Sequence, residues 1–450
     1  MSKTTDGGHT SITNQRQISV AAACGSFMEW FDFATYGFFA ATIGQLFFPN
    51  DNPATELLLS LSAFGIALVM RPLGGVVFGI VGDRMGRRAS LTGSVVLMAV
   101  STTLIALLPT YASIGIFAPI ALVVLRMLQG TSVGGEWAGA ATFLVEQAPR
   151  NRRAMLGSVV PATAAVGGLG GVVVALTLTN VLVQGQMLDW GWRVPFLLAT
   201  PLGLAALYIR LRLEDTPIFT EMKADGAIAQ APTREALRRN KRAIALCFFA
   251  TASATVGYYY LVTSTPNVLM SEEVGMSRMA ALSVTGVILA IYTAVCPLAG
   301  LISDRIGRRP TILLGAAGLI VVSIPAFQLL SSGNVVMVVL AMAVFALFEA
   351  MVNVTMVVLL IELFPARTRM TGCSLGFNLA GALLGGPAAV IVAASVSAIE
   401  FSGAGGIYTA AVAAMTLVGL YFLLPETRGR DLSGHEEIAQ KKELLVSLSD

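Results

Sequence analysis

Arg71 and Arg126 stand inside long apolar stretches, 57–81 and 114–147, where a guanidinium is costly. Four carboxylates occupy similar stretches: Glu29 and Asp32 in 18–47, Glu136 beyond Arg126, and Glu349 in 335–362. At the centre of a lipid-facing helix each costs about 2.5–3.5 kcal/mol. Six would cost roughly 15–20 kcal/mol, more than the about 5–15 kcal/mol that stabilises a typical fold. All six must therefore face protein or a water-filled cavity. There, guanidinium groups can grip an anion through paired hydrogen bonds, and carboxylates can carry a proton or attract a cation. Glu29 and Asp32, at i and i+3, share a helical face that Tyr36 continues. Arg126 and Gln129 form a second such pair, with Glu136 turned about 80° away. The two histidines, His9 and His435, lie near the chain ends. An intramembrane proton carrier is thus an acid, and Asp32→Asn is the substitution expected to uncouple.

Other readings of these residues stay open. Arg71 could bind substrate or simply lock Glu29 or Asp32 in a structural pair. Tyr258, Tyr259 and Tyr260 could form an interfacial belt or line a cavity, Tyr259 being the candidate ligand. Trp190 and Trp192 are expected in a belt at the outer surface. Close helix packing explains Gly134, Gly135 and Gly139 beside Glu136.

These residues need long apolar elements to position them. The 450-residue chain is 55% hydrophobic and 12% charged, with mean hydropathy +0.76, against roughly 25% charged in a soluble domain. Spans of about 20 apolar residues fit twelve runs: 18–47, 57–81, 90–109, 114–147, 154–183, 193–213, 243–270, 279–302, 311–331, 335–362, 371–398 and 405–424. The expected fold class is all-α integral membrane. The polar start, 1–17, lacks the order of a cleaved signal, so the first run is expected to remain as a span.

With that start inside, 25 of the 29 Lys and Arg fall in inside segments. Both termini are therefore expected in the cytoplasm of a multi-pass plasma (inner) membrane protein. Two basic residues, Arg193 and Arg278, fall outside; Arg71 and Arg126 are in spans. The net charge of +3 then reflects topology, and no nucleic-acid partner is expected. Cys24, Cys247, Cys296 and Cys373 lack paired spacing, so neither disulfide, metal nor cofactor is expected.

An internal repeat divides the chain. Gly82-Asp83-Arg84-Met85-Gly86-Arg87-Arg88 after the second run returns as Ser303-Asp304-Arg305-Ile306-Gly307-Arg308-Arg309 after the eighth. Glu146-Gln147-Ala148-Pro149-Arg150 is echoed by Glu362-Leu363-Phe364-Pro365-Ala366. The expected units are a tail 1–17, a six-helix half 18–213, a linker 214–242, a second half 243–424 and a tail 425–450. The linker's end, 234–242, carries five basic residues and one acid, which positive-inside charge explains. Paired halves with a site between them at mid-membrane are a transporter design. Asp83 with Arg87 and Arg88, and Asp304 with Arg308 and Arg309, are the expected gate, bridging helix ends in one state and releasing them in the other.

These loops resemble the signature of the major facilitator superfamily over essentially the whole chain. Four further motifs are similar to those of its metabolite:proton symporter family, whose members carry proline/betaine, 2-oxoglutarate, citrate or shikimate. They are Glu29-Trp30-Phe31-Asp32-Phe33 with Tyr36-Gly37-Phe38, Arg71-Pro72-Leu73-Gly74-Gly75, Arg126-x-x-Gln129-Gly130 through Gly134-Gly135-Glu136, and Asp189-Trp190-Gly191-Trp192-Arg193-Val194-Pro195-Phe196. Stretches 301–314 and 324–330 resemble the proline/betaine branch most. That branch carries a long C-terminal coiled coil, which the residues after Leu424 are too few to form, so osmotic gating by that route is not expected. Arg126 is shared with the organic-acid carriers.

The resemblance implies the major facilitator fold and a monomeric secondary transporter that imports a small carboxylate-bearing metabolite with protons. A zwitterion such as proline or glycine betaine is favoured over a di- or tricarboxylate. Export is disfavoured, because 157–161 lacks the Gly-Pro-x-x-Gly-Gly order of drug antiporters. A sensor without flux is the remaining alternative; no Ser/His pair, metal cluster or nucleotide loop suggests an enzyme.

Overall fold

The computed structural model describes residues 12–271, 274–388, 391 and 403–433. Most of the expected tails 1–17 and 425–450, and the end of the run expected over 371–398, lie outside the described residues. Backbone polar groups in lipid must be satisfied within the segment, and the apolar runs form helices. They are α1 Ile12–Phe38, α2 Pro53–Arg84, α3 Arg87–Leu107, α4 Phe117–Glu146, α5 Val159–Val181, α6 Val194–Leu211, α7 Lys241–Tyr259, α8 Arg278–Ile306, α9 Arg308–Leu330, α10 Val335–Leu363, α11 Arg369–Ala380 and α12 Ala404–Leu423. Among the described residues ten are long and apolar enough to cross a membrane. The other two are α1, which Glu29 and Asp32 make less apolar, and α11, which continues as a π-helical turn, Gly381–Gly385, toward undescribed chain.

The runs differ from the helices in several places, the first, fourth and seventh runs among them. The first run ends at Phe38, and Ala40–Phe47 forms a separate helix. The fourth is broken at Gly115, whose φ of 59° suits glycine. The seventh passes through a π-helical turn, Tyr260–Ser264, that begins at the last of the three tyrosines. The linker also has structure: Pro217–Ala224 and Pro232–Arg239 are helical, and Phe219 and Met222 pack against Ala366.

Of those ten, the α7 segment is the most enclosed, with 72% of its apolar window buried, against 33% for α6 and α12. It belongs to the interior and they to the rim. Glycines set the closest approaches. A Cβ on Gly74 would meet the Thr131 carbonyl, on Gly130 the Ala67 carbonyl, and on Gly134 the Arg71 carbonyl. Thus α2 and α4 pack backbone to backbone, holding Arg71 and Arg126 on adjoining helices.

The repeat is equally visible in geometry. Gly86 and Gly307 end α2 and α8 at φ 115° and 110°, conformations that favour glycine. Arg87 donates to the Gly82 carbonyl and Asp83; Arg308 donates to the Ser303 carbonyl and Asp304.

Candidate functional site: a central cavity and its ion pairs

A cavity of about 40 Å³ lies between the halves, lined by Trp30, Arg71, Trp137, Tyr258, Tyr259, Phe377 and Asn353 among others. A water needs at least about 10–15 Å³ of such volume, so the space suits two or three waters. An amino-acid-sized solute requires the halves to part.

The lining is chiefly aromatic. Trp30 meets Tyr258 edge-on at 4.5 Å and Tyr259 at 5.6 Å, while Trp137 and Phe377 stack at 4.0 Å. The cation in this lining is Arg71, which sits 5.6 Å from the Phe377 centroid. Its contacts are long: 3.4 Å to Glu29 and 3.4 Å to the Tyr259 hydroxyl. The Arg71 Nε and both Glu29 oxygens have no hydrogen-bond partner. Arg71 therefore retains donors for an incoming anion.

The two acids of α1 take different partners. Asp32 lies 3.2 Å from Arg126, which donates to Gln129 Oε1 at 2.8 Å; Gln129 in turn donates to Asp32 at 3.1 Å and to Thr102 at 2.6 Å. The Arg126 guanidinium is 4.0 Å from the Tyr36 ring centroid, with Phe33 and Phe64 beside it. Tyr36 donates to the Ser60 carbonyl. Arg126 is fully buried and does not line the cavity. The expected single surface of Glu29, Asp32 and Tyr36 is thus two neighbouring networks.

Glu136 is placed elsewhere. Both its oxygens receive Arg210, and Ser94 donates to it at 2.6 Å. A Cβ on Gly25 would strike this carboxylate, so α1 leaves room for it. Arg210, placed in an inside loop by the charge count, is a third intramembrane guanidinium; its partner on α4 was not legible from spacing.

Glu349 is fully buried and accepts from Asn353 at 3.4 Å. All three tyrosines are buried, against an interfacial belt; Tyr258 and Tyr259 reach the cavity, while Tyr260 packs on Phe327. The expected tryptophan belt is also corrected. Trp190 is exposed, but Trp192 is buried against Phe47 and Phe196, because its helical turn folds the ring inward over α6.

On the face bearing the basic loops, the halves are joined. Asp83 accepts from the backbone N–H groups of Met370 and Thr371 at the start of α11, at 3.2 and 2.9 Å. Asp304 accepts from those of Ala154 and Met155 at 3.0 and 2.9 Å. Each acid meets the positive end of a helix from the other half. Arg369 reaches Glu146 at 2.6 Å and Arg153 reaches Glu362 at 3.2 Å, again across the halves. Arg87 adds Glu146 and the Ala366 carbonyl, and Arg308 adds Glu362. Arg88 and Arg309 bond to carbonyls of their own halves.

Sequence reasoning missed Glu146, Arg153, Glu362 and Arg369, although the echoed Glu146 and Glu362 stretches were the signal. It missed Asp215 and Glu426 too, which accept from the first N–H groups of α3 and α9. Burial raises the Asp215 carboxyl, opposed by the Thr216 N–H and Arg87.

The sequence profile described as "Sugar (and other) transporter" matches residues 18–245 and 222–439. The proline/betaine transporter of Escherichia coli K12 is 34% identical over 97% of this chain and 89% of its own. The Dickeya dadantii glycine betaine/proline/ectoine/pipecolic acid transporter is 33% identical over the same shares. A proton:xylose symporter bound to 6-bromo-6-deoxy-D-glucose overlays with TM-score 0.79 at 18% identity, covering 95% of this chain and 99% of that one.

Proposed function

The chain belongs to the sugar (and other) transporter family of the major facilitator superfamily, a multi-pass membrane transporter, and from that premise we propose that it imports a small zwitterion of the proline or glycine betaine type together with protons. The observation that carries this reading is the cavity wall, where aromatic rings from both halves surround a single guanidinium. A substituted ammonium is attracted to ring faces by about 2 kcal/mol or more when desolvated. Arg71 supplies paired donors for a carboxylate. Glu29, buried 3.4 Å from Arg71 and outside the cavity lining, adds negative charge close to the wall. The names of the relatives, which carry proline, betaine and kindred solutes, support the same substrate class.

A dicarboxylate needs two cations, and Arg126, which does not line the cavity, is held by Asp32, Gln129 and Tyr36. In this proposal that network buttresses α1 against α4, and Glu136 with Arg210 braces α1 and α6. The loop acids hold the cytoplasmic side shut in the state described here, with both termini in the cytoplasm of the inner membrane and the monomer as the working unit. Competition against labelled glycine betaine counterflow in proteoliposomes tests the substrate class. Proline and betaines should displace the label; absence of betaine counterflow together with counterflow of labelled succinate, citrate or 2-oxoglutarate would select the organic-acid reading.

A further inference from the structure

Three of the four intramembrane carboxylates identified from sequence face a guanidinium: Glu29 faces Arg71, Asp32 faces Arg126 and Glu136 faces Arg210. Glu349 differs. It is fully buried, its hydrogen bond comes from the neutral Asn353 amide, and among the described residues it forms no ion pair. The groups that face it from the packed helices are Tyr258 on α7 with Tyr292 and Cys296 on α8. All are neutral as hydroxyls and thiol. Helix α9 offers only Arg308 and Arg309 at its start, and Arg308 is held by Glu362, about 20 Å along α10 from Glu349. Helix α5 carries no ionisable residue. Tyr258 lies close to both Glu349 and Glu29, and Arg71 is the cation on the cavity wall.

An ionised carboxylate without a counter-ion or water is far too costly to enclose, and such a group neutralises instead. The slot is built to the acid's shape, since a Cβ on Gly257 would collide with the Glu349 carboxyl. One turn away, Asn353 reaches the cavity wall, as does Tyr258.

We infer that Glu349 is the proton-carrying site, sealed into the occluded state only as the neutral acid. When the cavity opens to one side, water reaches the carboxylate and a proton adds to one oxygen. After the halves rock, the same O–H bond breaks toward water on the other side. No other bond changes. Each occlusion of the loaded carrier then moves one proton, and Tyr258, shared between the slot and the aromatic wall, links that site to the substrate's. This inference rests on the reading of the chain as a proton-coupled carrier.

The test uses the full-length carrier in proteoliposomes. E349Q mimics the neutral acid permanently, so betaine exchange should persist within about threefold of the wild type. Accumulation driven by the proton gradient should fall from about 50-fold per 100 mV to simple equilibration and lose its response to protonophore. Infrared spectra of the betaine-bound wild type at pH 7 should show a protonated-carboxyl carbonyl band that E349D shifts and E349Q removes. Wild-type accumulation by E349Q overturns the inference. So does absence of the band in the wild type, a result that stands even if no variant folds. Failure of wild-type betaine counterflow would instead count against the substrate reading, and the same band sought in the ligand-free wild type then decides the role of Glu349 by itself.

Discussion

Arg71 and Arg126 carry the same charge on packed helices yet face opposite fates. Arg71, on the cavity wall with two contacts of 3.4 Å, is free to reorganise around a ligand. Arg71→Lys loses the planar fork that matches a carboxylate, so the dissociation constant for glycine betaine should rise about tenfold, the equivalent of about 1.4 kcal/mol, with melting temperature little changed. Isothermal titration calorimetry in detergent checks the first and a thermal melt the second. Arg126 is tied to Asp32 and Gln129 with a ring against it. Asp32→Asn strands that buried guanidinium, a loss of about 3–5 kcal/mol. Thermal melting should drop strongly, while any carrier that folds still binds betaine. Unchanged melting with uncoupled transport would return Asp32 to the role the sequence suggested. The sequence showed that both arginines matter, because charge in an apolar run has to be used. Their partners lie on other helices, and the neighbours of a residue within its own helix do not reveal them.

At the scale of the element, the loops act by closing one helix end on another. Asp83 and Asp304 each cap a helix of the opposite half, and Glu146 and Glu362 add pairs to Arg369 and Arg153. Asp83→Asn and Arg87→Ala should leave betaine affinity within about twofold and slow transport severalfold, because these groups lie at the rim, away from the aromatic wall. Loss of equilibrium binding at unchanged turnover would place them in the substrate site. Charge reversal at Glu146 or Arg369 alone should weaken closure, measured as increased labelling of a cysteine placed on the cavity wall from the cytoplasmic side. The joint reversal should restore protection. The loop pairs were legible because Asp-Arg-x-Gly-Arg-Arg recurs at fixed positions in both halves. What each acid caps was not, since a backbone N–H at a helix start leaves no mark in side-chain pattern. The π-helical turn after Tyr259 was invisible, because it changes the winding of the backbone without changing the composition.

For the whole molecule, two six-helix halves meet over a small aromatic cavity and are latched on the basic face. The twelve-run pattern and the repeat conveyed that architecture, because lipid restricts each run to a helix and duplication fixes its partner. The cavity wall was only half legible: Tyr258 and Tyr259 were candidates for it, whereas Trp30, Trp137 and Phe377 read as ordinary apolar residues until the halves brought them together. In the proposed cycle the latch opens while the opposite side closes, and the proposed zwitterion spans the rings and Arg71. The most direct test of that account is uptake of labelled glycine betaine into proteoliposomes under an imposed proton gradient. The predicted result is accumulation well above equilibrium, abolished by protonophore and by excess proline, and insensitive to 2-oxoglutarate or citrate. Accumulation that needs sodium and ignores protonophore, or that only organic acids block, would contradict it.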